Sequence, residues 1–312
     1  MGLIRKDYIL DRFVYYAASR KERPQEFKKL IVKDEGKVCY FCPGNEKLTP
    51  PEIGRVEYKG KWKMRWFLNK FPAVELKGKP IFKPKKFFAE SSSYGSHEII
   101  VETSHHKSQL ADLPVADFEE LLEVYKIRIR ELNKLRSIKY IEIFKNHGKD
   151  AGTSLLHSHS QVVALMHVPE LVKEEIEVCR KHRKCPYCNI VKLESKSKRK
   201  IFETKNVLAF APYASRFNYE AWIFPKQHKR ALEELNETEL KDFAAAMKKI
   251  LLKLKKLNAS YNFYLHYSPA KENLHFHIEI TPRIATWGGF ELSTEFTINS
   301  VLPEDAARFY RG

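Results

Sequence analysis

HEIIVETSHHKSQLADL (97–113) and YEAWIFPKQHKRALEEL (219–235) align without a gap when Glu98 is set on Glu220. In each, an apolar stretch follows the glutamate and a histidine stands eight positions on, His106 or His228. Leucines then fall four and seven positions after the histidine: Leu110 and Leu113 in one copy, Leu232 and Leu235 in the other. An internal repeat of this kind organises a chain before any single element does.

The likeness extends in both directions. Downstream come two segments with apolar residues at helical spacing, VADFEELLEVYKIRIRELNKL (115–135) and ETELKDFAAAMKKILLKLKKL (237–257). Each is followed by a β-rich run, IKYIEIFKN or YNFYLHYS, and then by a strand carrying His-x-His, His157 and His159 or His275 and His277. Upstream, each copy has its own Cys-x-x-Cys, Cys39/Cys42 or Cys185/Cys188. The reading is an α+β protein of two tandem lobes, residues 1–168 and 169–312, with antiparallel sheets flanked by helices. The boundary falls at Pro169, before the charged helix PELVKEEIEVCRKHRK, with no flexible linker.

With 312 residues, 43% of them hydrophobic, the chain can bury a core without disulfides. It has no run of about 20 apolar residues, and its first residues, MGLIRKDYILDRF, lack the apolar core of a signal peptide, so the expectation is a cytoplasmic protein with no membrane partner. The formal charge of +17 raises the question of nucleic acid. The lysines are scattered, however, through KPKKF, SKSKRK and KKILLKLKK, as on solvated faces, and serve sugar phosphates and nucleotides equally well. Nucleic acid is therefore not expected as a partner.

In a cytosolic chain, paired Cys-x-x-Cys motifs point to zinc before disulfides. Two cysteines and two histidines close a tetrahedral site with no open position, the form of a structural zinc. Two such sets can be assembled: Cys39, Cys42, His106 and His157; and Cys185, Cys188, His228 and His275. The expected cofactor is one or two zinc ions per chain, with buried thiols and core histidines as the competing reading. Cys179 is left without a role. Residues two apart on a strand share a face, so His159 would stand beside the zinc ligand His157, free to act as a nucleophile toward phosphorus. The preceding segment, Asn146-His-Gly-Lys-Asp-Ala-Gly-Thr-Ser154, could bring N–H groups and hydroxyls to phosphate oxygens.

On CYFCPGNE (39–46) and HSHSQ (157–161), and along nearly its whole length, the chain resembles galactose-1-phosphate uridylyltransferase and ADP-glucose phosphorylase, the transferase branch of the histidine-triad superfamily. The resemblance implies two histidine-triad-like lobes in a homodimer. It implies a nucleotidyltransferase acting on a nucleotide sugar and a sugar 1-phosphate by a ping-pong route, with His159 as nucleophile and Gln161 hydrogen-bonded to the phosphoryl oxygens. Ser154 would lie near the phosphates, and Asn69, Asn146 and Gly152 match nucleotide- or phosphate-contacting positions. Arg20 and Arg23 match a basic pair over the phosphates.

Uridylyl transfer between UDP-glucose and a hexose 1-phosphate is the first expectation. Adenylyl transfer as in ADP-glucose phosphorylase is the second, because Lys70 stands where the bacterial uridylyltransferases have an acidic residue. The second thiol pair and the tail GGFELSTEFTIN (288–299) point the same way. A dinucleotide hydrolase would carry His-x-His-x-His, where this chain has Gln161. A zinc-stabilised nucleic-acid-binding protein would leave the loop before HSHSQ without a purpose.

Overall fold

The computed structural model describes residues 3–10, 12–16, 38–79, 81, 83–85, 87–269 and 272–312. The chain begins with β1 (Leu3–Lys6) and β2 (Phe13–Tyr16). The first half continues with β3 (Glu52–Tyr58), β4 (Lys61–Leu68), a small hairpin of β5 (Lys83–Lys85) and β6 (Phe88–Glu90), β7 (Gly95–Val101), α1 (Val115–Leu132), β8 (Tyr140–His147) and β9 (His159–Leu165). Helices α2 (Glu170–Arg180) and α3 (Pro186–Glu194) lead into β10 (Lys200–Glu203), β11 (Val207–Phe210), β12 (Ala221–Pro225), α4 (Glu237–Lys256), β13 (Tyr261–His266) and β14 (His277–Pro282). The tail forms α5 (Gly289–Thr294), β15 (Thr297–Asn299) and α6 (Pro303–Arg311).

Ten strands make one antiparallel sheet in the order β10-β11-β12-β14-β13-β8-β9-β7-β4-β3. That order is the same five-strand pattern twice, joined at β8 and β13, where Phe144 lies opposite Tyr264 and Asn146 opposite Asn262. Gln161 pairs with Phe144 and Glu279 with Tyr264, so a pseudo-twofold axis passes between Phe144 and Tyr264. The sequence repeat is thus a structural repeat, and Asn146 and His266, two residues beyond Phe144 and Tyr264, occupy equivalent places.

Strand alternation sorts the residues onto two faces. Ile141, Ile143, Val162, Ala164, Phe263, Leu265, Ile278 and Ile280 are wholly buried in a core shared by both halves. Helices α1 and α4 pack against each other over it. α4 buries Leu240, Phe243, Met247, Ile250, Leu251 and Leu254, a stripe at helical spacing, each contributing roughly 1.5–3 kcal/mol by leaving water. Its first turn is closed by a capping box, in which the Asn236 side chain accepts from the Glu239 N–H and Glu239 accepts from the Asn236 N–H. The opposite face carries Glu142, Asn146, Gln161, Asn262, Tyr264 and Glu279, a polar set around Phe144 on which the site is built.

Two features depart from the sequence reading. β9 begins at His159 and β14 at His277, so His157 and His275 stand just before their strands. Both rings are held there by bonds from Nε2 to the carbonyls of Thr103 and Gln227. In addition, β2 pairs with β15, and Arg5 on β1 meets Glu304, so β1 and β2 pack with the end of the chain. Cys179 is wholly buried on α2.

Candidate active site and metal centres

The first thiol pair is shaped by its own turn. Cys42 N–H donates to the Cys39 carbonyl at 3.3 Å, and Asn45 Nδ2 donates to the same carbonyl at 2.9 Å. Glu46 accepts from Gly44 N–H and from the Trp62 indole, and the buried Arg65 donates to the Tyr40 carbonyl. These bonds account for the asparagine and glutamate of CPGNE. Together they aim both sulfurs at His106 and His157: Cys39 Sγ lies 3.4 Å from His157 Nδ1, Cys42 Sγ 3.3 Å from His106 Nδ1 and 3.7 Å from His157 Nδ1.

The second set repeats this, with Cys188 Sγ 3.4 Å from His228 Nδ1 and 3.6 Å from His275 Nδ1. In each set of four the donor atoms lie within 4.8 Å of one another. A tetrahedron with Zn–S of about 2.3 Å and Zn–N of about 2.0 Å has S···N edges of about 3.5 Å. Both sets match that spacing. In each, a histidine turns Nδ1 to the sulfurs and donates Nε2–H to a carbonyl, the outer hydrogen bond that orients a metal-bound imidazole.

His159 lies on the same side as His157: the rings stand 5.3 and 6.1 Å from that of Phe41. Its Nδ1–H donates to the His157 carbonyl at 2.9 Å. That bond fixes the tautomer and leaves the lone pair on Nε2. Burial, with the Lys145 charge adding to it, lowers its pKa to about 4, so the ring is neutral near pH 7. Behind it, Lys145 and Glu102 form a buried ion pair at 2.6 Å, and Lys145 also donates to Ser158 Oγ and to the His159 carbonyl. The main chain at His159 is thereby clamped.

The loop from Asn146 to Ser154 turns at Gly148, φ +83°, where a Cβ would come within 2.3 Å of Ser260 Oγ. Gly152 takes φ +82° at the end of a short 3-10 turn, Lys149–Ala151. The Thr153 hydroxyl donates to the Asn146 carbonyl, and Ser154 is exposed on the rim. Asn262, from the second half, donates to Asn146 Oδ1 at 2.8 Å and to the Ala151 carbonyl at 2.9 Å, leaving the Asn146 Nδ2 for a ligand. A cavity of about 270 Å3 beside the loop is lined by Asn146, Gly148, Thr153, His157, His159 and Lys255.

His159, Gln161, Asn146, Gly152 and Ser154 thus cluster around one strand end. Asn69 joins them through His97, whose Nε2 lies 3.2 Å from Asn69 Nδ2 and 2.9 Å from Gln161 Oε1. Arg20 and Arg23 lie outside the described residues.

Sequence reasoning missed His97, Glu102, Lys145 and Asn262. Lys145 lies on β8 and Glu102 just past the end of β7, with β9 between those strands, so the pair becomes visible only once the strand order is known. Sequence reasoning also missed a buried group in the second half, Glu175, His266, His277 and Glu279, whose donor atoms fall within 4.8 Å of one another. There His266 bonds Glu175 at 3.0 Å, and Arg216 lies 3.4 Å from Glu279. Burial would lower the His266 pKa, but Glu175 and Glu279 outweigh it and raise it to about 9.

Residues 5–169 match the family model for galactose-1-phosphate uridyl transferase, N-terminal domain, and residues 184–286 that for scavenger mRNA decapping enzyme C-term binding. ADP-glucose phosphorylase of Arabidopsis thaliana is 32% identical over 99% of this chain and 92% of its own. Galactose-1-phosphate uridylyltransferase of Thermotoga maritima is 31% identical over 99% and 97%. The crystal structure of an ADP-glucose phosphorylase from Arabidopsis thaliana with bound ADP-glucose superposes with a TM-score of 0.86 at 30% identity, covering 100% of this chain and 99% of that one. A uridylyltransferase structure does so with a TM-score of 0.77 at 30% identity, covering 100% and 97%.

Proposed function

The chain belongs to the galactose-1-phosphate uridylyltransferase family, and on that premise we propose how its residues carry out the reaction. It is a hexose-1-phosphate nucleotidyltransferase. His159 Nε2 attacks the α-phosphorus of a nucleotide sugar; the N–P bond forms as the bond to the bridging oxygen breaks, and the electron pair leaves on the sugar 1-phosphate. A phosphate oxygen of the second substrate then attacks the nucleotidyl-histidine and frees the imidazole. The observation that carries this reading is the bond from His159 Nδ1 to the His157 carbonyl, which presents an unprotonated Nε2 beside Gln161.

The leaving group is already an anion of low basicity, so no strong general acid is required. Gln161, Ser154 and the loop N–H groups supply positioning and charge stabilisation at the non-bridging oxygens, with Asn146, Gly152 and Asn69 holding the nucleotide. Arg20 and Arg23 are assigned to the phosphates on the resemblance. The two Cys2His2 sets would each hold a structural zinc, which lends rigidity to the strand end and leaves no coordination position for substrate. We assign residues 1–168 and 169–312 to the two lobes, and expect a cytoplasmic homodimer. No helix among the described residues is long and apolar enough to cross a membrane.

The first reading is uridylyl transfer from UDP-glucose to a hexose 1-phosphate. Adenylyl transfer is favoured by Lys70 and by the likeness to the ADP-glucose phosphorylase, in which the second half also superposes. Incubation with UDP- and ADP-sugars labelled in the α-phosphate, followed by chase with hexose 1-phosphates or inorganic phosphate, separates them. Label on His159 that chases only into UDP-hexose supports the first reading, and release to water alone would overturn both.

A further inference from the structure

Gln161 can stabilise a phosphoryl oxygen only if its NH2, and not its carbonyl, faces the phosphorus. A free side-chain amide has two flips of similar energy, so something must choose between them. The main chain makes that choice through His97, which is 8% exposed on β7.

The backbone N–H of Ala73 donates to His97 Nδ1 at 3.1 Å. A backbone N–H can only donate, so Nδ1 is the acceptor nitrogen. Burial lowers the pKa of His97 despite the bond to Gln161, so the ring is neutral, and a neutral imidazole with an accepting Nδ1 carries its proton on Nε2. That Nε2–H lies 2.9 Å from Gln161 Oε1. Only oxygen can accept from it, and the amide is therefore turned with Oε1 toward β7 and its two N–H donors toward the opposite side.

Asn69 is sorted by the same logic. Its Oδ1 accepts from the Phe71 N–H at 3.0 Å, so its Nδ2 near His97 is a donor beside a donor and stays available to a ligand. Gln161 itself sits between Ile99 and Phe144 on the open face, two residues along β9 from His159.

We propose that His97 is a positioning residue: it converts the fixed direction of the Ala73 N–H into a fixed flip of the Gln161 amide, presenting two donors to the phosphoryl group as His159 attacks. This rests on the assignment of His159 and Gln161 above. His97 touches no reacting atom in this scheme and acts through Gln161 alone. The second half lacks the device: Tyr219 stands in place of His97 in the repeat and Glu279, which has no flip to choose, in place of Gln161.

The test is a double-mutant cycle on the full-length protein, reading the single-turnover rate of nucleotidyl-histidine formation from a labelled UDP- or ADP-sugar, together with KM. His97→Phe should slow that rate about 10- to 100-fold with KM changed less than about threefold. His97→Gln, whose Nε2 can reach the same place as the imidazole Nε2–H, should recover most of it. In a Gln161→Ala background, His97→Phe should add less than about twofold, since the partner through which it acts is gone. A full, additive loss in that background would overturn the proposal while leaving the catalytic assignment in place; so would wild-type rates in His97→Phe. Wild-type rates in Gln161→Ala would instead sink the role of Gln161. Thermal midpoints of all variants guard against simple unfolding, and should His97→Phe fail to fold, wild-type KM with no recovery of rate in His97→Gln overturns the proposal by itself.

Discussion

The two His-x-His strands share a backbone and differ in what surrounds the second histidine. His159 and His277 both turn Nδ1 to the carbonyl two residues earlier, at 2.9 and 3.0 Å, but His159 keeps a lone pair on Nε2 whereas His277 turns its Nε2 to Glu279 Oε1 at 3.6 Å. Around His159 the equivalent positions hold neutral amides, Gln161 and Asn146. Around His277 they hold Glu279 and His266. Burial opposes the Glu279 charge, but His266, His277 and Arg216 overcome it and keep the carboxylate ionised. Rings of Phe224, Trp222, Tyr187 and His266 enclose His277, with Phe224 stacked at 4.5 Å. One copy faces a polar loop with open donors. In the other, cations and anions neutralise one another and a phosphate would meet a carboxylate. The second copy thus keeps the bond from Nδ1 to the carbonyl two residues earlier but has lost the open, neutral surroundings that the proposed role of His159 requires.

The sharpest break of this comparison is a pair of variants. His159→Asn should lower covalent labelling by more than about 1,000-fold with fold and zinc content kept, whereas His277→Asn should still be labelled. Mass spectrometry of the trapped enzyme decides between them, and label that survives loss of His159 but follows His277 would invert the assignment of the two lobes.

Next in size is the metal. Metal-replete protein should carry up to two zinc ions per chain by elemental analysis. Cys39→Ala or Cys185→Ala should each reduce that content and lower stability by at least about 2 kcal/mol, because binding and folding free energies are linked. Less than about half an ion per chain would favour buried thiols.

A smaller effect tests how one half supports the other. Asn262→Ala removes both bonds that hold Asn146 and Ala151, and about tenfold slower single turnover is expected, with zinc content unchanged. An unchanged rate would mean that the loop orders itself.

The last concerns the closed copy. His266 is raised from 6.5 to about 9, so its stabilising contribution is fully present below about pH 6.5 and is lost as pH rises through 9. Chemical denaturation of the wild type should show stability falling across that window by up to about 3 kcal/mol, and His266→Gln should flatten the slope. A slope unaltered by that variant would place the titrating group elsewhere.

Much of this was legible in the chain. The repeat set on Glu98 and Glu220, the helices after each lone histidine and the members of both Cys2His2 sets rest on residue type and on the repeat itself, which the sequence carries directly. The proposed role of His159 also starts from the sequence, since His159 is what remains of His-x-His once His157 is given to the Cys2His2 set. The supports were not. Lys145 and Glu102 are 43 positions apart, His97 and Gln161 are 64, and Asn146 and Asn262 are 116, so each pair exists only through strand register. Glu279 read from the sequence as a charge that would repel phosphate, but that it lies within 4.8 Å of the His266 ring depended on β13 lying beside β14, and its contact with Arg216 on the segment leading into β12. Sequence by itself determined which chemistry the chain can hold and that it holds it twice. Tertiary structure decided which copy is open, because hydrogen-bond direction and burial are properties of neighbours that pairing brings together.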